Sequence, residues 1–426
     1  MSNAFFNFIE NKITPVAAIA GSQRHIMAIR DGFIGAMPFM IVGSFLLIFA
    51  FPPFESDTTF FIGKMWLSIS KAYFEEIMTP FHMTMGIMAC YISAGIAYNL
   101  AQTYKLDAFS CAMLSLMTFL LISSPYKEGT LPTAFLGGAG IFTAILIGLF
   151  CPELLRLLRR YNIGIKLPEQ VPDKIRHSFN LLIPAIIIIC TLYPLNVMLQ
   201  KQFSMPLPEI IMTAFIPLIS AADSLPAILF AVILCQVLWF SGINGGAIVG
   251  GILQPFYLVN LGLNQAALAN GLPIPHIFAE AFWAFFINLG GSGATLALVL
   301  LYMRSKAIHL RAIGKLSVVP VCFNINEPVI FGSPVVMNPV LFIPFVLAPV
   351  VNAIIAWFAT TSGLISQVIS LVPWTTPAPI GAAWGAGWAV NSAILVIILI
   401  VIDILIYFPF FKVYEKQLLE QEKATS

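Results

Sequence analysis

One carboxylate in an almost uncharged part of the chain has the clearest potential for chemistry. The run FNINEPVIFG, residues 323–332, places Glu327 directly after Asn324 and Asn326 and before Pro328. An ionisable group at membrane depth costs free energy and usually serves a polar substrate or a proton. A carboxylate with flanking amides suits a sugar, because it accepts hydrogen bonds from hydroxyls and can deprotonate one that becomes a nucleophile. The alternative is a carboxylate that only ties together a broken helix.

A glycine-rich segment supplies a second candidate site. In WFSGINGGAIVGG, residues 239–251, the glycines allow close approach of the backbone, and Asn244 carries the side-chain amide. We predict that Asn244 binds the substrate. A glycine-mediated helix crossing explains the same pattern and stays open as an alternative.

A third segment, EAFWAFFINLGGSGATL, residues 280–296, combines an acid with an aromatic ring. Glu280 and Trp283 are three residues apart, so they share one face of a helix next to a glycine-rich break. The GGSG sequence is not a phosphate loop, because no GK[ST] ending follows it. Trp388 is a further candidate, since indole rings stack on pyranose faces, although tryptophan is also common at membrane interfaces.

The composition identifies an integral membrane protein. Of the 426 residues, 59% are hydrophobic and 9% are charged, and the mean hydropathy is +0.93, far outside the range of soluble domains. The net charge of +2 comes without a clustered basic face, which argues against nucleic-acid binding. The six cysteines occur singly and without ligand spacing, so we expect no disulfide framework, metal site or cofactor.

Long uncharged runs in the first half predict five membrane-spanning helices, since about 20 apolar residues cross a hydrocarbon core. The predicted spans are Gly32–Phe54, Ile77–Tyr104, Ala108–Tyr126, Gly129–Pro152 and His177–Gln200. The basic loop from Arg156 to Arg176 predicts a cytoplasmic location for that loop and for both termini. An amphipathic segment at Glu153–Tyr161 is expected along the membrane surface.

The second half follows a different pattern. Lys and Arg are missing from residues 202–303 and 316–411, yet proline, glycine and asparagine interrupt both stretches. We therefore predict an all-α fold of about ten transmembrane helices, with re-entrant hairpins in the C-terminal half. Its spans are predicted at Pro226–Ser241, Ile277–Leu289, Ala294–Met303, Met337–Ala359 and Trp388–Phe410. The predicted regions are 1–176 with the first four spans, 177–201 with the fifth, and 202–426 for transport.

Several of these motifs together resemble one family. RDGFIGAMPFMIVGS at residues 30–44, GINGGAIVGG at 242–251, GGSGATL at 290–296 and FNINEPVIFGSPVVMNP at 323–339 are similar to the membrane-embedded enzyme IIC of the bacterial phosphotransferase system (PTS). The resemblance is to its lactose, cellobiose and N,N'-diacetylchitobiose group, and it covers essentially the whole chain. From the residues alone, we expect the Arg30/Asp31 pair at the start of the first motif to have a structural role.

The resemblance implies a sugar permease of the bacterial plasma membrane. It implies a homodimer formed by the N-terminal half, and one β-linked disaccharide bound between re-entrant hairpins of the C-terminal half. A separate enzyme IIB, phosphorylated on cysteine by an upstream IIA, phosphorylates the sugar at its 6-hydroxyl as it enters. Glu327 matches the family's sugar-binding glutamate, which orients or deprotonates that hydroxyl.

One residue departs from the family pattern. Asn244 stands where the family usually has histidine, so a group that titrates near neutral pH is replaced by one that can only form hydrogen bonds.

A second class of function stays open on physical grounds alone. A sugar transporter coupled to H⁺ or Na⁺ would also need a lone intramembrane carboxylate, and it would deliver unmodified sugar.

Overall fold

Helices are the regular elements of the chain. The computed structural model describes residues 22–54, 57–126, 129–164, 181–333, 335, 336 and 338–425, together with Pro15. Its helices in the N-terminal half are α1 (Arg24–Ala50), α2 (Phe61–Ala72), α3 (Phe74–Thr84), α4 (Met88–Thr103), α5 (Ala108–Ser123), α6 (Ile141–Arg160) and α7 (Leu182–Phe203). Residues 1–14 and 16–21, the part of the predicted basic loop over residues 165–176 and the first four residues of the predicted fifth span lie outside the described residues.

The C-terminal half contains longer helices and short helical pieces. They are α8 (Leu207–Ala222), α9 (Leu225–Phe240), α10 (Gly245–Ala269), α11 (Glu280–Phe282) with a π-helical continuation (Trp283–Ile287), α12 (Leu296–Met303), α13 (Ile308–Cys322), α14 (Glu327–Gly332), α15 (Pro339–Thr361), α16 (Ala378–Gly385) and α17 (Val390–Thr425).

The count of ten spans is not confirmed. Seven helical segments of the described residues are long and apolar enough to cross a membrane: Arg24–Ala50, Phe74–Thr103, Gly138–Arg160, Leu182–Phe203, Gly245–Ala269, Pro339–Thr361 and Val390–Glu422. An eighth arises if α8 and α9, which meet at an angle of 71°, form one broken span. The predicted span Ala108–Tyr126 corresponds to α5, a shorter apolar helix of 16 residues.

Four sequence-based assignments were wrong. The glycine-rich segment after residue 242 was not predicted as a span, but α10 runs for 25 residues through Gly250 and Pro255. The predicted spans Ile277–Leu289 and Ala294–Met303 are short helical pieces on either side of a non-helical loop. Glu153–Tyr161 is not a separate surface helix, because its residues continue α6 as far as Arg160.

Glycines permit close packing where helices cross. A Cβ on Gly32 of α1 would lie 2.6 Å from the backbone nitrogen of Ile96 in α4, and α1 packs on both α3 and α4. A Cβ on Gly262 of α10 would lie 2.7 Å from the Cα of Gly138. The second contact fastens α10, from the C-terminal half, to the N-terminal helices.

Helices α12 and α13 form a hairpin in the C-terminal half. At its open end, two non-helical loops come together, which we call the hairpin tips. Helices α12 and α13 pack on each other, and with 8 and 15 residues they are about 12 Å and 22 Å long. Both are shorter than a hydrocarbon core of about 30 Å. The loop before α12, residues 288–295 (the first tip), and the turn after α13, residues 323–326 (the second tip), contact each other through Asn324 and Asn326. Nearly all of the first loop is buried in protein, as non-helical backbone in a membrane requires.

Asp223, between α8 and α9, fixes the segment that leads into this hairpin. Its Oδ1 accepts hydrogen bonds from the backbone nitrogens of Ile277 at 3.1 Å and Phe278 at 2.7 Å. Its Oδ2 lies 3.0 Å from Nδ1 of His276. One carboxylate thus holds the chain just before Glu280.

We expect Asp223→Ala to lower the free energy of unfolding by about 2 kcal/mol, because two buried backbone donors lose a charged acceptor. The measurement is the thermal unfolding midpoint of the purified protein in detergent. Glu76→Ala, on the exposed side of α3, is the control and should leave the midpoint unchanged. Equal midpoints for the two variants would show that Asp223 does not anchor this segment.

Candidate functional site

A cavity of about 550 Å³ lies where α1, α10 and the two hairpin tips meet, and this volume falls within the usual range for small-molecule sites. Its lining contains six of the seven residues predicted from sequence: Asn244, Glu280, Trp283, Asn324, Asn326 and Glu327. Other polar and aromatic residues complete the wall: Arg30, Trp239, Gln254, Tyr257, Asn288, Ser292 and Trp374. Residues from five separate stretches of sequence therefore face one space.

Glu327 begins a helix rather than lying on an isolated turn. It is the first residue of α14, a helix of six residues with Pro328 in its first turn, where a missing backbone N–H is tolerated. The side chain of Glu327 is exposed and lines the cavity. Its carboxylate is therefore accessible to a ligand in that cavity.

The two asparagines of the motif act as clamps between the tips. Nδ2 of Asn326 donates to the carbonyl oxygen of Ser292 at 2.7 Å and to Oγ1 of Thr295 at 3.0 Å. Oδ1 of Asn324 accepts from the nitrogen of Gly290 at 3.1 Å. These bonds hold the loop of the first tip against the motif that carries Glu327.

Asn324 also reaches a third segment. Its Nδ2 donates to the carbonyl oxygens of Trp374 at 2.6 Å and Thr376 at 3.0 Å. Because the amide donors of both asparagines already bind protein, their position in the cavity wall indicates a supporting role more than direct contact with a ligand.

Asn244 lines the cavity and also caps a helix. It is the N-cap residue of α10, and its Oδ1 accepts a hydrogen bond from the nitrogen of Ala247 at 2.8 Å. A Cβ on Gly246 would be 3.4 Å from that Oδ1 and 3.6 Å from Nε1 of Trp239. The absent side chain of Gly246 thus leaves space beside both polar groups.

Three buried polar atoms in the cavity wall have no hydrogen-bond partner among the described residues: Nε1 of Trp239, the hydroxyl of Tyr257 and Oε2 of Glu280. Such groups are uncommon, because each costs free energy unless a partner binds. One acceptor and two groups that can donate are the complement of a ligand rich in hydroxyls. The rings of Tyr257 and Trp283, whose centroids are 6.4 Å apart, add an apolar surface beside them.

Trp388 is not brought to this cavity. Its ring stacks on that of Trp384 at a centroid distance of 5.9 Å, and it is not among the residues of the cavity wall. Conversely, the sequence analysis did not select Tyr257 or Trp239 as site residues. Tyr257 lies in the middle of α10, without a local motif, and only the tertiary packing brings it to the site.

The described residues contain no group of three or more His, Cys, Asp or Glu side chains that could hold a metal ion.

A comparison with known protein families decides the relationship. Residues 30–349 match the family described as "Phosphotransferase system, EIIC". The chain belongs to this family. The matched region includes most of α1, all of α10 and the NINEP motif at residues 324–328, so it covers the elements that build most of the cavity.

Individual relatives of this EIIC cover nearly all of its length. It is 35% identical to the "PTS system cellobiose-specific EIIC component" of Geobacillus stearothermophilus, over 99% of this chain and 96% of the relative. It is 36% identical to the "PTS system lactose-specific EIICB component" of Staphylococcus aureus, over 94% of this chain and 70% of that longer protein.

A solved structure confirms the fold of this EIIC. The transporter ChbC, the IIC component of an N,N'-diacetylchitobiose-specific phosphotransferase system, superposes with a TM-score of 0.89. The match covers 98% of this chain and 99% of ChbC, at 36% sequence identity. This EIIC therefore has the helical fold of a membrane transporter, as predicted from the sequence.

Proposed function

We propose that this sugar permease binds a β-linked disaccharide in the cavity of α1, α10 and the hairpin tips, and moves it inward. The observation that carries the proposal is the set of three unpartnered polar atoms, on Trp239, Tyr257 and Glu280, in one cavity with Glu327. Sugar hydroxyls both donate and accept, so a sugar that reaches these atoms offers each of them a partner. The adjacent aromatic rings cover the apolar faces of the sugar.

The proposed substrate is of the cellobiose or N,N'-diacetylchitobiose type. A cellobiose-specific EIIC is 35% identical over 99% of the chain, and a diacetylchitobiose-specific IIC shares the fold at 36% identity. A cavity of about 550 Å³ has room for two sugar rings. Asn244 donates from its free amide nitrogen, because its oxygen caps α10.

The proposed chemistry is phosphorylation of the sugar at its 6-hydroxyl. A separate phosphorylated enzyme IIB, supplied through IIA, donates the phosphoryl group from its cysteine. Glu327, exposed in the cavity, accepts the hydroxyl proton as the oxygen attacks phosphorus. The existence of a lactose-specific EIICB supports such a partnership between the two components. The homodimer and the cytoplasmic location of both termini remain predictions.

The test is uptake of labelled cellobiose and diacetylchitobiose into proteoliposomes that contain the full chain. Phosphorylated IIB is enclosed in one preparation and unphosphorylated IIB in its control. We expect sugar 6-phosphate to accumulate only with the phosphoprotein, and the preferred sugar emerges from the same data. Accumulation of unmodified sugar in response to a proton or sodium gradient would contradict the proposal and favour a secondary transporter.

We expect Trp239→Phe to weaken disaccharide binding about fivefold, because one buried donor contributes about 1 kcal/mol when a hydroxyl satisfies it. The measurement is the Kd of the disaccharide by isothermal titration calorimetry. Trp384→Phe is the matched control, since its Nε1 is also buried and unpartnered but does not line the cavity. A Kd equal to that of the control would place the sugar away from Trp239.

A further inference from the structure

One positively charged side chain lines the cavity, among the described residues. It belongs to Arg30, six residues from the start of α1. The same wall contains the carboxyl groups of Glu280 and Glu327. A phosphoryl group that enters this space brings a further negative charge, and only Arg30 offers a cation to meet it.

Arg30 and Asn244 also line a neighbouring cavity of about 380 Å³. That cavity extends beside the first turn of α1, where its wall includes Ser22 and Ile26. Arg30 and Asn244 are therefore common to the proposed sugar site and to a space at the N-terminal end of α1. If that end is cytoplasmic, as the sequence predicts, a phosphoryl donor from the cytoplasm passes Arg30 on its way to the sugar.

The local geometry holds the guanidinium in place without using all of it. Nε and Nη2 of Arg30 both contact one oxygen, Oδ1 of Asp31, at 2.8 Å. The aliphatic stem lies over Gly251 of α10, where an added Cβ would be 3.8 Å from Cγ and Cδ of Arg30. No hydrogen bond of Nη1 is found among the described residues, so donors remain for a ligand.

We propose that Arg30 binds the phosphoryl group during its transfer from the IIB cysteine to the sugar. This inference rests on the proposed function. The 6-hydroxyl oxygen forms a bond to phosphorus, the sulfur–phosphorus bond breaks, the cysteine leaves as thiolate, and Glu327 receives the hydroxyl proton. Arg30 donates N–H bonds to the equatorial oxygens, where negative charge is held in the transition state. From sequence, the Arg30/Asp31 pair was predicted to have a structural role. The proposal adds a catalytic role for Arg30.

The test compares Arg30→Gln with wild-type protein in single-turnover phosphorylation, with saturating disaccharide and phosphorylated IIB. We expect the rate to fall by about 100-fold or more, as for removal of one donor to a developing charge. The Kd of the disaccharide should change less than about threefold, because a neutral sugar makes no use of the charge. Arg30→Lys keeps the charge but loses the planar fork, and should lie between the two.

Arg24→Gln is the matched control. Arg24 lies on the same helix and places its guanidinium over the ring of Tyr104, away from the cavity. We expect its phosphorylation rate to equal that of the wild type. If Arg30→Gln fails to reach the membrane, Arg30→Lys alone decides, with a rate drop of about tenfold expected.

Two results would overturn the role of Arg30. One is a wild-type rate in Arg30→Gln or, where that variant is absent, in Arg30→Lys. The other is a loss of sugar affinity with an unchanged rate, which would make Arg30 a sugar ligand. A wild-type protein that forms no sugar phosphate would contradict the proposed function itself, so the two failures are distinguishable.

Discussion

Replacement of Glu327 by glutamine is expected to reduce phosphorylation of the disaccharide by 100- to 1,000-fold, roughly the contribution of a positioned general base. The amide keeps the size of the side chain and can still donate to and accept from hydroxyls, but it cannot take the proton of the 6-hydroxyl. Binding of the unmodified sugar should weaken less than about tenfold. The measurements are the single-turnover rate with phosphorylated IIB and the Kd of the disaccharide by calorimetry.

Glu280→Gln provides the comparison within the same cavity. Oε2 of Glu280 is unpartnered and buried, so we expect this carboxyl to act mainly in binding, and its glutamine variant to change Kd more than the rate. A phosphorylation rate near that of the wild type in Glu327→Gln, with binding intact, would remove Glu327 from the role of base. Loss of binding alone would assign Glu327 to positioning of the sugar.

The identity of the central residue could be predicted from sequence because its signal is local. Glu327, Pro328 and the two asparagines lie within five residues, in a stretch without other charges. The physical cost of a carboxylate in such a stretch singles out the motif. The structure adds that Asn324 and Asn326 fasten Glu327 to the first hairpin tip, a role that depends on which loop lies opposite.

The course of α10 could not be predicted in the same way. The glycines between 245 and 251 were interpreted as a place of close backbone approach, with a helix crossing as the alternative, and no span was predicted there. These four glycines and Pro255 all lie within one helix. Tertiary packing overrides their low helix propensity, because Gly262 allows contact with Gly138 and Asn244 caps the first turn. Tyr257 was missed as a consequence, since without that helix nothing in the sequence connects it with Trp283.

Asn244 stands at the position where the sequence analysis expected a histidine from the family resemblance. Its oxygen satisfies the nitrogen of Ala247, one of the donors that the start of any helix leaves free. On the proposed function, the amide nitrogen is then left as a donor to the sugar. Proton transfer would in that case depend on Glu327, and Asn244 would contribute orientation.

Asn326, the residue before Glu327, packs against Gly291 of the first hairpin tip. Gly291 has a φ of +93°, and an added Cβ would lie 2.6 Å from Cγ of Asn326. We expect Gly291→Ala to push Asn326 from its hydrogen bonds with Ser292 and Thr295 and to shift Glu327 with it. A displacement of about 1 Å at a reacting group costs about 100-fold in rate, so the phosphorylation rate should fall by that factor.

Gly363→Ala separates this clash from the general strain of a left-handed backbone. Gly363 has a φ of +75°, but nothing lies within 4 Å of the added Cβ. Both variants therefore carry a similar conformational cost of about 1–3 kcal/mol, and both should show lower thermal midpoints. Only Gly291→Ala should lose phosphorylation. Equal rates in the two variants, measured on folded protein with the same IIB and sugar, would mean that Glu327 keeps its place without the Asn326 clamp.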